Sequence, residues 1–148
     1  MKRWVAAIAL LALVNCSEST APVNLSGTWR IVFVDMTEGA FVCNIEAVDM
    51  RIVHSGGSFT GTQLGPAVRV CVQDQSTVNA AFNGETISGA IDGRTVTFAL
   101  GVVPGTQDAG GNSAAGTLAG DVITGSASWL DSSGSSSLVG SFTATRLQ

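Results

Sequence analysis

A repeated pair of glycine-centred segments constrains this chain most. Ser88-Gly89-Ala90-Ile91-Asp92-Gly93-Arg94-Thr95-Val96-Thr97 aligns with Ala115-Gly116-Thr117-Leu118-Ala119-Gly120-Asp121-Val122-Ile123-Thr124 at a constant offset of 27. Gly93-Arg94 and Gly120-Asp121 then read as two-residue turns with glycine first, which suits the type II′ hairpin, where that position needs a positive φ. This choice fixes a register. Ile91 faces Val96, Gly89 faces Phe98 and Ile87 faces Leu100, while Ala90 with Thr97 and Asp92 with Thr95 take the other side. In the second hairpin Leu118 faces Ile123 and Gly116 faces Gly125. Slipping either hairpin by one residue would turn every side chain to the wrong face.

The rest of the chain from Leu25 onward shows no helical face. It breaks into short runs of Val, Ile, Thr and Phe punctuated by Gly, Asp, Asn and Ser, the signature of an antiparallel all-β domain. Trp29, Ile31 and Phe33 alternate in a first strand, Val48, Met50 and Ile52 in a second, Val68, Val70 and Val72 in a later one, and Phe142, Ala144 and Arg146 in the last. His54-Ser55-Gly56-Gly57 reads as a turn into Ser58-Phe59-Thr60-Gly61-Thr62. Longer loops are expected at 35–40, 104–113 and 131–137. Eight or nine strands result, and closing them into a single up-and-down barrel removes the edges that an open sheet would expose.

The chain begins with Lys2 and Arg3, then an apolar run from Trp4 to Val14. That is the order of an export signal helix, and the run falls short of the roughly 20 residues a membrane-crossing helix needs. Leu13-Val14-Asn15-Cys16 resembles the lipobox of bacterial lipoproteins, with Asn15 where the family has Gly, Ala or Ser. The resemblance implies that Cys16 is acylated and becomes the mature N-terminus. Ordinary cleavage after Ser19-Thr20-Ala21 is the alternative, and it meets Pro22 just beyond the cut. The expected organisation is a signal peptide at 1–15, a flexible tether at 16–24 and the barrel at 25–148. A membrane partner is then reached through the N-terminal lipid, which places the protein in the bacterial cell envelope. Ser17 after the cysteine resembles the outer-membrane sorting class.

Beyond the leader the chain has five arginines, no lysine and ten or eleven acids, depending on where the leader ends. Such a charge balance repels nucleic acid, whose binding rests on cations neutralising phosphates. With Cys16 lipidated, Cys43 and Cys71 remain as a pair in an oxidising compartment, and a disulfide is the economical reading. A metal site competes weakly, because His54 is the sole histidine and the thiols stand 28 positions apart.

Gly27-Thr28-Trp29 in the first strand and Arg146 in the last resemble the calycin superfamily, the lipocalins and avidins. In lipocalins a Gly-x-Trp opens the barrel and a late arginine packs over the indole to close its bottom. The resemblance implies that Trp29 and Arg146 are the closure pair. A guanidinium can stack on an indole face while its donors reach backbone carbonyls. With the terminal Gly140-Ser141-Phe142-Thr143-Ala144-Thr145-Arg146 and the glycine-centred hairpins, the chain is similar to small bacterial lipoproteins with a lipocalin-like barrel. Ser58-Phe59-Thr60-Gly61-Thr62 also resembles the avidins. Biotin sites there use several tryptophans and a tyrosine, whereas this chain has no tyrosine and only Trp29 and Trp129 after the leader.

No catalytic constellation emerges. A nucleophilic triad needs a base beside its nucleophile, and His54 is read as a solvated turn residue. Glu46 and Asp49 fall on opposite faces at strand spacing, which suits no paired acid and base. Gly110-Gly111-Asn112 lacks the strand-to-helix setting of a phosphate loop. Asp108 with Asn112, or Asp131 with its serines, supplies too few ligands for calcium. The expectation is therefore no enzyme, no cofactor and no metal. Two functions stand open: a barrel holding a small apolar ligand, with Phe98, Trp129 and Phe142 as pocket walls, or a packed scaffold without one. Gly89, Gly116, Gly125, Ala127 and Gly140 share the inward phase, and they either leave a lumen or admit large neighbours into it.

Overall fold

In the computed structural model, residues 22–100, 112–130 and 137–148 are described. Cys16, most of the tether, Asp108, Asp131 and most of the loops expected at 104–113 and 131–137 lie outside them. The described chain is all-β. Its strands are β1 (Gly27–Glu38), β2 (Phe41–Ser55), β3 (Ser58–Gln63), β4 (Ala67–Gln73), β5 (Ser76–Phe82), β6 (Thr86–Asp92), β7 (Thr95–Leu100), β8 (Ser113–Ala119), β9 (Val122–Leu130) and β10 (Ser137–Leu147). All pairings are antiparallel. Because β1 bonds both β10 and β2, the order β1-β10-β9-β8-β7-β6-β3-β2 closes on itself as an eight-stranded barrel.

The other two strands extend this barrel. β2 is long enough to pair β3 through Met50–Ser55 and β4 through Val42–Ile45. β3 and β4 therefore run end to end along β2, broken at Leu64-Gly65-Pro66, where proline removes a ladder donor. The Gln63 amide spans the break: Nε2 donates to the Gly65 carbonyl at 2.6 Å, and Oε1 accepts the Glu85 N–H at 3.0 Å. β5 pairs β4 and β6 pairs β3, so two of the barrel's strands are each split in two.

Both repeat hairpins have the register their sequences dictate, with Ile91 opposite Val96, Gly89 opposite Phe98, Leu118 opposite Ile123 and Gly116 opposite Gly125. Gly93 and Gly120 have φ of 58° and 61°, the left-handed region that the first turn position requires.

The segment 35–40 is not the loop its sequence suggests. β1 continues to Glu38 and turns into β2 through Gly39-Ala40. Two bulges explain the difference. Between Ile31 and Phe33, β2 holds one residue more than β1; between Phe33 and Met36, β1 holds one more. An extra residue shifts the alternation by one, so Met36, Cys43 and Ile45 return to the interior alongside Trp29, Ile31, Phe33, Val48, Met50 and Ile52. Asp35 sits at the second bulge with φ 53°, and its N–H donates to Asn44 Oδ1 at 2.8 Å.

β4 buries Ala67 and Cys71, while Val68 and Val72 stand 45% and 42% exposed on the outside. The disulfide sets that phase. Cys43 and Cys71 are directly opposed across β2 and β4 with Cα atoms 4.0 Å apart, and they are bonded. Closing a loop of that length stabilises by about 3 to 4 kcal/mol in chain-entropy terms, and here it ties the β4–β5 extension to the barrel wall.

Candidate functional site

One end of the barrel, the floor, is closed by the first and last strands. The Trp29 indole is fully buried, and its Nε1 donates to the Leu25 carbonyl at 2.8 Å. The Arg146 guanidinium lies over that ring, Cζ 4.7 Å from the centroid. Its Nη1 donates to the Ser26 carbonyl and its Nη2 to the Asn24 carbonyl, while Nε meets Asp121 Oδ1 at 2.9 Å. The planar fork thus fixes the segment entering β1, the indole beneath and the turn between β8 and β9 at once. Asp121 is the member that sequence reasoning missed. Its signal was its place in the glycine turn, but which turn abuts the last strand depends on the closed topology.

Above the floor, the interior holds a column of touching rings. Phe33 lies 5.2 Å from Trp129 and 6.0 Å from Phe142; Phe98 lies 5.3 Å from Phe142 and 6.4 Å from Phe59, between ring centroids. These are ordinary tilted and edge-on aromatic separations. Phe98, Trp129 and Phe142, the candidate pocket walls, are therefore linked through Phe33 into one buried cluster. Two of the inward glycines, Gly89 and Gly116, leave room for ring edges, whereas at Gly125 and Gly140 the nearest atoms are all backbone. A Cβ on Gly89 would stand 2.5 Å from Phe59 Cζ and 2.7 Å from Phe98 Cβ, and one on Gly116 would stand 2.9 Å from Phe142 Cζ. The space these two glycines leave is shared by ring edges and by the facing backbone, whose Thr97 and Thr124 carbonyl oxygens would stand nearest, at 2.3 and 2.6 Å.

Other candidates are scattered over the wall. Arg30 and Asp49 face each other across β1 and β2 and form a two-pronged ion pair, Nε–Oδ1 and Nη2–Oδ2 both at 2.8 Å. The hydrogen bond from Arg30 and its charge hold the Asp49 carboxyl below the ordinary carboxylate range, against an opposing desolvation; the same contact raises Arg30. Glu46 is exposed beside the first bulge. His54 is not in a turn. It lies within β2, one residue before its end, half-buried, with its N–H donating to Ser26 Oγ at 3.0 Å and its Nε2 buried without a partner among the described residues. Among the described residues Trp129 Nε1 is likewise buried without a partner. Asn112 Oδ1 accepts the Leu130 N–H at 3.0 Å, a structural bond holding β9.

A shallow depression of about 710 Å³ lies on the outside of the barrel, over β6 to β10. Outward Ser88, Ala90, Thr97 and Ala115 line it together with inward, buried Phe98 and Ala127. Among the described residues, no three His, Cys, Asp or Glu side chains gather where they could hold a metal ion. In comparisons with known proteins, no family model matches this chain and no curated protein matches it.

Proposed function

We propose that this is a non-catalytic scaffold protein of the bacterial cell envelope, held to a membrane by acylated Cys16, whose barrel interior is core and whose outer wall meets its partners. The observation that carries the reading is the ring column from Trp129 through Phe33 and Phe142 to Phe98 and Phe59. A ligand-holding barrel of this class needs a continuous apolar cavity of about 300 Å³ or more, and such a ligand would have to displace those rings from contacts they already make. The anchor reading is supported by Lys2, Arg3, the apolar run and Cys16, together with the Cys43–Cys71 disulfide, which suits an oxidising compartment.

Native mass spectrometry of the protein purified from cell membranes tests both halves. The expected species is a chain beginning at acylated Cys16 with no stoichiometric non-covalent passenger. A co-purifying lipid or other small apolar molecule at one per chain would overturn the scaffold reading, and an unmodified Cys16 would overturn the anchor.

A further inference from the structure

The segment that enters β1 is pinned to the floor residue by residue. Val23 packs against the core and Leu25 is fully buried. The Asn24 and Ser26 carbonyls accept from Arg146, the Leu25 carbonyl accepts from Trp29, and Ser26 Oγ accepts from the His54 N–H. Seven residue steps separate Cys16 from Val23, and a fully extended chain of that length spans no more than about 25 Å. β1 alone has 12 residues. That is about 40 Å of strand, which a tilt of roughly 35–45° turns into about 30 Å of barrel height. An acylated Cys16 therefore reaches a bilayer at the floor and falls short of the far end.

Charge divides along the same axis. Of the five arginines beyond the leader, Arg30, Arg51, Arg94 and Arg146 stand in the floor half, with Asp49, Asp92 and Asp121. Arg69 stands in the far half, with Asp35, Glu46 and Asp74, and Glu85 lies between, where β5 meets β6. The floor half is thus the more positive of the two, and Arg51 and Arg94 are exposed on it. Its turns, Gly56-Gly57, Gly93-Arg94 and Gly120-Asp121, have two residues each. None is long enough to hold the floor away from a flat surface.

We propose that the floor is a membrane-facing surface, set against the anionic headgroups of the bilayer that holds the Cys16 lipid; the inference rests on the anchor reading above. The reach of the tether excludes the inverted orientation. The charge asymmetry selects a standing barrel over one lying on its side, because anionic lipids attract arginines within about a Debye length, roughly 8–10 Å, and repel the acidic end. The far end, with the β4–β5 extension, faces away from the membrane.

Quenching by spin-labelled headgroups tests the orientation. The full chain, purified from cell membranes and carrying one introduced thiol, is labelled with a fluorophore. It is then reconstituted into phosphatidylglycerol-containing vesicles with a nitroxide on some headgroups. Ala119→Cys and Thr95→Cys are exposed at the floor, and Ser76→Cys is exposed at the far end. Both floor labels should lose several-fold more fluorescence than the Ser76→Cys label, and the gap should narrow in phosphatidylcholine alone. Acylated Cys16 with equal quenching at the two ends, or greater quenching at Ser76→Cys, would overturn the orientation and leave the anchor standing. A gap indifferent to lipid charge would overturn the part given to anionic headgroups. An unmodified Cys16 in the mass spectrum would remove the anchor, and the orientation with it.

Discussion

Gly89 condenses the account of the interior into one position. Its missing side chain is where the Phe59 and Phe98 rings approach, and the carbonyl of Thr97 closes the remaining side. A methyl group there has nowhere to go unless rings and backbone both yield. Overpacking of this kind costs about 1–3 kcal/mol. Gly89→Ala should therefore lower the urea midpoint of the folded protein without changing the slope of the transition. Several residue roles were legible beforehand. Trp29 and Arg146 were singled out through a family resemblance, and the structure places the guanidinium over the indole. Whether inward glycines mean lumen or packing was not legible, because it depends on rings contributed by other strands.

Strand pairs were read well where turn chemistry and alternation agreed, as in the two repeat hairpins. They were misread where alternation broke. The bulges in β1 and β2 interrupt the period-two pattern, and a broken pattern looks like a loop. In β4 the alternation of the three valines marked the strand, and the buried phase belongs to Ala67 and Cys71. Cys71 carried the signal, since a disulfide with inward Cys43 puts its own phase inside. The β1–β2 pair also carries a testable electrostatic contact, Arg30 with Asp49. Asp49 is held below the ordinary carboxylate value, so its contribution is present above that value, about 3.9, and is lost as pH falls through the lowered one. Thermal melts of the parent and Asp49→Asn should differ slightly at neutral pH and converge in acid. The neutral-pH difference should shrink in high salt, as for any exposed pair.

At the scale of the molecule, the two ends of the barrel differ. The floor gathers the glycine turns, the Trp29–Arg146 lock and the segment that leads back to the proposed lipid anchor. The opposite end carries the Gly39-Ala40 turn and the β4–β5 extension. Between them lies a core in which Phe33, Phe98, Phe142 and Trp129 are each at most 8% exposed. The closed all-β topology was legible from the count and spacing of strands. The splitting of two barrel strands was not, because nothing local at Leu64-Gly65-Pro66 or Asn83-Gly84-Glu85 tells a turn from a break between segments that run end to end. The central claim is that this barrel is solid. Dry apolar cavities bind xenon, so the most direct test is diffraction from xenon-pressurised crystals. The account predicts no xenon density along the barrel axis between Trp129 and Phe59; ordered xenon sites strung along that axis would contradict it.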